Sequence, residues 1–554
     1  MSEANREHLF SRPAGLLILL TAGALLCQPW TAGMREFFLQ EGFYGAQALE
    51  MDSSLPMSVA HGEALQNTFP LYPLLVSWCR MATGLSLEAA LRLVTLAGTA
   101  LTAVLVYFAA RSTCSNKAAQ VATAMFLSMP AVAGVSITGN PGPLIALGVL
   151  GAHLLWFYFG VRRANWNLAW LLALTVMAPT FYAGGFKALF FFLFPLIFMR
   201  RPLTIWQKLS YPGLAAGTAV VLTAVALWAI PYWFFSRLMP VQTLWNGEEI
   251  LSWSWLLTFP FQLLLLTMPW AFLAWAPFCV ALQPLSETPI FSRFLRTIFF
   301  ATFFTVWFLP GCDANDILYL AAPLSILTGL HYEPAVRRHP QFMQGLKRLC
   351  SIGLFATAGA LIAFPLLPQA LLETMIYFSN SIDFRDSADF MIRAFAVAGL
   401  LLAAGFLAFF CGKRTPVWLI LLTAALGGGL FYWTAVHRYS CQEQNKRAIG
   451  GILRRALEED RAGKMPLPLY KIDIQNLYAE CCYLNNPVVK IRRLNELPPA
   501  AGTVYLLGTE FPQVPERNWT NLLAPEEQTY YGQRIGLWRG DLRRDPDAPL
   551  PERD

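Results

Sequence analysis

Charged residues are scarce in this sequence, and several motifs of soluble enzymes are missing from it. Only 14% of the 554 residues are charged, whereas 56% are hydrophobic, and the mean hydropathy is +0.45. A soluble globular protein carries about 25% charged residues, so the composition indicates a membrane protein. The sequence has no Walker loop, no dinucleotide-binding glycine pattern, no GxSxG and no HExxH. These absences argue against an ATP-driven pump and against a serine hydrolase.

The cysteines and histidines indicate no metal or redox site. The ten cysteines include no CxxC pair, and the six histidines form no cluster. We therefore predict no cofactor, and a metal requirement is left open. Cys441, Cys481 and Cys482 follow the last predicted span, where an oxidising compartment would allow a bridge from Cys441 to one of the other two.

Apolar runs recur through the first 436 residues and set the predicted architecture. Each is about 20 residues long, which is enough to cross the hydrocarbon core of a bilayer. We predict thirteen spans, at 13–33, 84–110, 117–138, 142–160, 166–181, 184–199, 209–232, 254–281, 295–310, 315–331, 349–367, 391–411 and 416–436. The pair 166–181 and 184–199 has an alternative, because Gly184-Gly185 could kink one long helix.

The distribution of Lys and Arg predicts the orientation. Alternate loops are rich in these cations, and the loops 34–83, 233–253, 311–314 and 368–390 are poorer in them. By the positive-inside rule the N-terminus is cytoplasmic. With an odd span count, residues 437–554 lie outside. The net charge of +7 reflects mainly these cytoplasmic anchors and implies no nucleic acid.

The composition changes after residue 436. The stretch that starts at His437 has the apolar spacing of a surface helix, and short strand-like runs such as PLPLYKIDI, PVVKI and GTVYLLG follow it. Strands that alternate with helices predict a small α/β domain at 437–540. The polar, proline-rich tail 541–554 is predicted to be disordered.

The loop 34–83 carries the most informative residues. Its first part, from Arg35 to Tyr72, combines five carboxylates with aromatic residues beside a hydrophobic body. It contains Gln40-Glu41-Gly42-Phe43-Tyr44 followed by Glu50-Met51, and then His61-Gly62-Glu63 followed by Thr68-Phe69-Pro70-Leu71-Tyr72. A polar loop of this length at a membrane surface is a candidate site of chemistry.

These two stretches resemble patterns of the GT-C membrane glycosyltransferases. The resemblance is to the branch of the lipid A aminoarabinose transferases and protein O-mannosyltransferases, which carry D-E-x-x-Y-x-x-x-x-x-E-M and then N-G-x-x-x-x-x-K-P-P-L-Y. It implies an α-helical polytopic fold, with a transmembrane domain over 1–436 and a periplasmic α/β domain. It also implies an enzyme of the bacterial inner membrane that moves a sugar from a polyprenyl-phosphate carrier to a lipid, glycan or protein of the cell envelope.

The sequence departs from the family pattern at several polar positions. Gln40 stands where the family has its first acidic residue, and Thr68 stands where it has a lysine. A carboxylate must take or orient the proton of the acceptor, and Gln40 cannot do so. Glu41 is therefore the candidate catalytic base, with a helix-cap or surface carboxylate as the alternative. Tyr44 is a candidate cavity residue or an interfacial anchor.

Such transfer also needs cations that stabilise charge on the leaving phosphate. The candidates are Lys187, which lies in an apolar run, and Arg237, which follows an aromatic stretch. For Lys187 the alternative is an ion pair or snorkelling to the surface. His61 is a candidate hydrogen-bond donor to a substrate or a plain loop residue. Asp313 and Asp316 could replace the missing carboxylate, bind a cation, or cap a helix.

Two further functional classes stay open at this point. The neutralised polar positions fit a non-catalytic relative that binds the lipid carrier or serves as a partner subunit. A transporter is disfavoured because charges at mid-membrane are scarce and no internal repeat is evident.

Overall fold

In the computed structural model, the chain divides into two units. The described residues are 19–21, 23–24, 33, 35–38, 40–51, 57–65, 68–200, 203–235, 241–242, 253–285, 288–363, 388–410, 416–432, 446–461, 466–472, 477–498, 502–514, 516–530 and 533–542. The first unit, here the membrane unit, comprises Met1–Met34, Ala89–Trp228 and Trp245–Glu443. The second, here called the outer unit after its predicted orientation, comprises Arg35–Glu88, Ala229–Leu244 and Gln444–Asp554. The loop 34–83, which the sequence had placed with the spans, is therefore grouped almost entirely with the C-terminal segment.

Helices form the membrane unit. Their bounds are Leu87–Arg111, Asn116–Ser128, Pro130–Ser136, Gly142–Phe157, Trp166–Ile197, Pro212–Phe235, Trp253–Leu266, Ala271–Ala274, Pro289–Phe308, Leu318–Arg338, Pro340–Ala363, Ala388–Phe410 and Val417–Tyr432. Among the described residues, 6 helices are long and apolar enough to cross a membrane, or up to 8 if each of two bent pairs is one span. A polytopic helical membrane protein is thus confirmed, while the count of thirteen spans stays a prediction.

The predicted spans 166–181 and 184–199 are one element. A single helix runs over Trp166–Ile197, and its only non-helical backbone is at Gly185, with φ 61° and ψ −147°. A positive φ with this ψ is accessible to glycine and strained for other residues. The alternative of one long helix kinked at the glycine pair is therefore confirmed.

Small residues let this kinked helix pack closely on its neighbour Gly142–Phe157. A Cβ at Gly148 would clash with the Thr180 side chain, and one at Gly184 would meet Ile145. Small residues at such contacts bring backbones together where lipid offers no hydrophobic drive for association. This packing fixes the helix that carries Lys187.

The outer unit contains the strands. They are β1 Val59–Ala60, β2 Glu63–Leu65, β3 Val241–Gln242, β4 Leu469–Lys471, β5 Val488–Lys490, β6 Thr503–Gly508, β7 Arg517–Asn521, β8 Thr529–Tyr530, β9 Gln533–Arg534 and β10 Gly536–Leu542. Five of them form a sheet in the order β5-β4-β6-β10-β7, in which β4 is parallel to both β5 and β6. A three-stranded sheet, β1-β2-β3, joins two strands of the loop 34–83 to β3 of the loop 233–253, and no sequence pattern predicted it.

The helices of the outer unit are Glu41–Glu50, Leu71–Thr83, Lys446–Arg461 and Tyr478–Cys481. The helix Lys446–Arg461 covers the five-stranded sheet with Ile449, Leu453 and Leu457, which recur at a spacing of four residues and join one core with sheet residues such as Leu469 and Leu507. The predicted surface helix and small α/β region are therefore confirmed. Cys481 and Cys482 are free thiols in the structure, and a bridge to Cys441 stays a possibility from sequence. Cys441, the predicted boundary at 436/437 and residues 543–554 lie outside the described residues.

Candidate functional site

Lys187 of the kinked helix forms an ion pair within the membrane unit. Its Nζ lies 2.6 Å from Oδ2 of Asp316 and donates a second hydrogen bond, at 3.1 Å, to the backbone oxygen of Gly311. The Lys187 side chain is 35% exposed and that of Asp316 only 6%. The lysine is thus reachable from outside the protein, while the carboxylate is held inside. Pairing, one of the alternatives for Lys187, is what the structure shows.

Asp313 and Asp316 cap a short 3₁₀-helix, Ala314–Ile317. The Asp313 side chain accepts a hydrogen bond from the Asn315 backbone N–H at 2.9 Å, and Oδ2 of Asp316 accepts one from the Asp313 N–H at 2.9 Å. The capped helix start is therefore present. Beside it, burial and the Asp316 carboxylate raise the pKa of the Cys312 thiol to about 12, so the thiol stays protonated and unreactive at neutral pH.

Glu41 begins the helix Glu41–Glu50 in the outer unit. It is buried, and its Oε2 accepts a hydrogen bond from the Phe38 backbone N–H at 2.8 Å. An acidic residue in a first turn also interacts favourably with the helix dipole. The carboxylate therefore supports the helix start, which was the structural alternative to a catalytic role. One turn later, Tyr44 packs edge-to-face on Tyr72 with ring centroids 5.4 Å apart.

His61 and Gly62 form the turn of a two-residue hairpin between β1 and β2. Both have positive φ, 52° and 74°, as a type I′ turn requires. Glu50 closes this turn, because its carboxylate accepts the backbone N–H groups of His61 at 2.7 Å and of Gly62 at 3.0 Å. Asparagine favours the same backbone conformation, which explains in physical terms the Asn-Gly of the family pattern.

The His61 ring is enclosed by groups of the C-terminal segment. It stacks on Tyr478 with ring centroids 4.7 Å apart, and the Nζ of Lys471 lies 4.7 Å from the same tyrosine ring. Burial and the charges of Lys471 and Lys490 lower the pKa of His61 to about 3. The imidazole is therefore neutral at physiological pH, and in the described part of the chain its Nδ1 has no hydrogen-bond partner.

Sequence reasoning missed several polar residues around this turn. Glu63 is buried, and its two oxygens lie 3.0 Å from Lys490 Nζ and 3.6 Å from Arg492 Nε. Glu50 is half-buried, and it is the partner of the turn backbone. A signal was present for the lysines, since Lys471 and Lys490 each end a short apolar run, at the strand ends where α/β sheets bind ligands.

The predicted site residues fall into two groups. Lys187, Asp313 and Asp316 are together in the membrane unit, whereas Glu41, Tyr44 and His61 belong to the outer unit. Arg237 lies outside the described residues. Within the part of the chain that the structure describes, no group of three or more His, Cys, Asp or Glu side chains could hold a metal ion.

Comparison with known proteins identifies the fold. No family model matches the sequence, and no curated protein matches it. Among solved structures, the chain is similar to ArnT from Cupriavidus metallidurans bound to undecaprenyl phosphate, with a TM-score of 0.70 and 14% identity over 95% of this chain and 98% of that chain. ArnT in the apo state gives a TM-score of 0.69 at the same identity and the same coverage of both chains.

A third similar structure is the arabinosyltransferase EmbB from Mycobacterium smegmatis. It gives a TM-score of 0.43 and 16% identity over 78% of this chain and 41% of that chain, which is too low a score to carry an argument. The likeness to ArnT extends over nearly the whole of both chains and agrees with the helical membrane unit and the small C-terminal sheet. The chain therefore has the GT-C fold.

Proposed function

We propose that this protein transfers a sugar from a polyprenyl-phosphate carrier to a lipid, glycan or protein of the cell envelope. The observation that carries the proposal is the match to ArnT, whose structure holds undecaprenyl phosphate, over 95% of this chain. The apolar helices supply the membrane setting in which a polyprenyl chain is soluble. Transfer takes place on the outer face of the inner membrane, with the N-terminus in the cytoplasm and the C-terminal segment in the periplasm.

Lys187 is the proposed ligand of the carrier phosphate. Its ammonium group is partly exposed, and it holds a carboxylate, Asp316, as its present partner. A phosphate oxygen makes the same charge-assisted hydrogen bond as a carboxylate oxygen, so a carrier phosphate can share this ammonium group. A fixed cation at this position stabilises the charge that develops on the leaving phosphate. Arg237 is a second proposed ligand.

Two carboxylates are proposed for the base. Glu41 follows the position where the family has its acidic residue, and Asp316 is the carboxylate beside the proposed phosphate ligand. Asp313 holds Asp316 through its backbone N–H, and Tyr44 and His61 are proposed to contact the sugar donor or the acceptor. No metal or other cofactor enters this proposal.

Consumption of the donor by the full-length protein in nanodiscs tests the function without knowledge of the acceptor. A radiolabelled polyprenyl-phosphate sugar is supplied, and release of free polyprenyl phosphate is measured with an envelope extract as the source of acceptor. We expect Glu41→Gln or Asp316→Asn, whichever removes the base, to slow release by about 10²–10⁴-fold. Lys187→Met is expected to slow it by about 10²–10³-fold.

Arg337→Gln serves as the matched control, because Arg337 is 81% exposed and makes only a surface pair with Glu333. If Arg337→Gln lost as much activity as the site variants, the losses would be due to handling of the protein and not to the site residues. A wild type that releases no polyprenyl phosphate from any sugar donor would contradict the transferase proposal.

A second candidate is a non-catalytic subunit that binds the lipid carrier or a partner protein. The observation that favours it is at the start of the helix Glu41–Glu50, where Gln40 offers no carboxylate and Glu41 is buried and bonded to the Phe38 backbone. This candidate predicts that undecaprenyl phosphate binds to the wild type with no turnover, and that Glu41→Gln leaves the binding unchanged.

A further inference from the structure

Two lysines lie side by side at the carboxyl ends of neighbouring parallel strands. Lys471 is the last residue of β4 and Lys490 the last of β5, and the two are direct partners in the register. Residues paired in this way project to the same face of a sheet. Here that face is the one on which Leu469 and Val488 join the core under the helix Lys446–Arg461. Like charges placed directly opposite each other are destabilising, so this pair needs a compensating anion.

Glu63 compensates only one of the two lysines. Its Oε2 accepts a hydrogen bond from Lys490 Nζ at 3.0 Å, and its Oε1 lies 3.6 Å from Arg492 Nε. Two cations thus already share this carboxylate.

Lys471 has a different environment. It is only 2% exposed, and its ammonium group lies over the Tyr478 ring. In the described part of the outer unit, no carboxylate forms an ion pair with Lys471. The charge of Glu480 acts on the lysine electrostatically, without an ion pair. A buried ammonium group without an anionic partner is costly, which points to an anion as the missing partner.

His61 adds a neutral hydrogen-bonding group at the same place. Its ring stacks on the same Tyr478, its own exposure is 2%, and its Nδ1 has no partner among the described residues. Its backbone oxygen accepts the Lys490 N–H at 2.7 Å, which fixes the turn beside the end of β5. The side chains of Lys490 and Arg492 are 27% and 56% exposed, so a ligand can approach from their side.

We propose that Lys471, Lys490 and His61 form a binding site for a phosphoryl group in the outer unit. A phosphate monoester offers three terminal oxygens and up to two negative charges, which match two ammonium groups and a ring nitrogen better than a single carboxylate does. The carboxyl ends of parallel strands are also where open α/β sheets bind ligands. Lys471 and Lys490 have no role in the proposed sugar transfer, so the phosphoryl site is tested independently of it.

Calorimetric titration of the full-length protein in phosphatidylcholine nanodiscs tests this site. Inorganic phosphate is the soluble probe, chloride at matched ionic strength is its control, and nanodiscs that contain phosphatidic acid test a lipid headgroup as the source. We expect the wild type to bind phosphate and Lys471→Met to weaken that binding by at least about tenfold. Lys471→Arg is expected to retain most of it. Arg454→Gln, which alters a cation in an exposed pair of the same unit, is expected to leave it unchanged.

Thermal unfolding keeps the test decisive if binding is weak. Without phosphate, Lys471→Met is expected to unfold at a higher temperature than the wild type, because it removes a buried charge for which the described residues provide no carboxylate partner. With phosphate, the midpoint of the wild type is expected to rise and that of Lys471→Met to stay constant. A lower midpoint for Lys471→Met without phosphate would show a structural lysine and overturn the proposal. So would a phosphate effect that Lys187→Met abolishes and Lys471→Met does not, since it would place the anion in the membrane unit.

Discussion

The ammonium nitrogen of Lys187 lies 2.6 Å from a carboxylate oxygen of Asp316, a residue 129 positions further along the chain. A lysine within an apolar helix is costly in a membrane, about 2.5–3.5 kcal/mol at mid-bilayer. The pair and the hydrogen bond to Gly311 offset this cost. The same carboxylate oxygen accepts the Asp313 N–H, so one atom joins the kinked helix to a capped turn.

Loss of either partner of this pair is expected to destabilise the protein. Lys187→Met leaves the buried Asp316 carboxylate without its cation, and Asp316→Asn removes the anion from the lysine. Because Lys187 is 35% exposed, we expect each change to lower the free energy of unfolding by about 1–3 kcal/mol. This value lies between those for exposed and for buried ion pairs. Thermal unfolding in nanodiscs measures both variants.

The double variant Lys187→Met/Asp316→Asn is the control for this pair. It removes both charges, so its loss of stability is expected to be smaller than the sum of the two single losses. Additive losses would show that the two side chains do not interact in the membrane.

Gly185→Ala is expected to strain the kink of the helix Trp166–Ile197. With φ at 61° and ψ at −147°, any Cβ at this position costs about 1–3 kcal/mol. Relief of the strain would straighten the helix and move Lys187, so donor consumption should fall as well. Gly353→Ala is the matched control, because a Cβ there meets nothing within 4 Å. It is expected to stabilise the helix by about 0.5–1 kcal/mol. If Gly185→Ala and Gly353→Ala had the same stability and donor consumption as each other, the strained backbone at Gly185 would be contradicted.

The kink shows how much local sequence can predict. Gly184-Gly185 within an apolar run indicated a break, and the CDAND segment indicated a helix cap; both are local signals that the structure retains. Hydropathy is also a local signal. It predicted the membrane class because each span satisfies its backbone hydrogen bonds within itself. The number of spans is harder to predict, since a broken run and two short spans look alike in sequence.

The long-range contacts of the site could not be read from sequence. Lys187 and Asp316 were both candidates, yet nothing in the spacing of two residues so far apart indicates that they touch. The same holds for the turn at His61, where Glu50 accepts two backbone N–H groups from residues 11 and 12 positions further along the chain. Such contacts are set by tertiary packing, which single-sequence patterns do not report.

Glu50→Ala is expected to loosen the turn between β1 and β2. The change removes two hydrogen bonds to a carboxylate and leaves the N–H groups of His61 and Gly62 without their acceptor. We expect a loss of about 1–3 kcal/mol. Hydrogen exchange should accelerate at these two amides, which report the opening of this turn directly. Leu49→Ala, at the exposed neighbour, should leave both exchange rates unchanged, and unchanged rates in Glu50→Ala would contradict the role of the carboxylate.

Acid is expected to destabilise the outer unit through His61. Burial lowers the pKa of this imidazole to about 3, while an unfolded histidine has a pKa of about 6.5. The unfolded chain therefore takes up a proton at a higher pH than the folded chain. The neutral imidazole of His61 therefore contributes fully to the free energy of unfolding above about pH 6.5. This contribution is lost as the pH falls towards about 3, by up to about 1.4 kcal/mol per pH unit within that window.

His61→Asn tests this pH dependence, because asparagine tolerates the positive φ of the turn and does not titrate. The groups that face His61 are Lys471, Lys490, Tyr478 and Glu50. Burial raises the pKa of Tyr478 to about 12, so this tyrosine stays neutral throughout the window. Burial raises the pKa of Glu50, so its protonation opposes the histidine effect, and it does so in both proteins. Unfolding of wild type and variant is compared from neutral to acid pH. We expect the wild type to lose stability more steeply than the variant, and parallel curves would show that His61 is solvated.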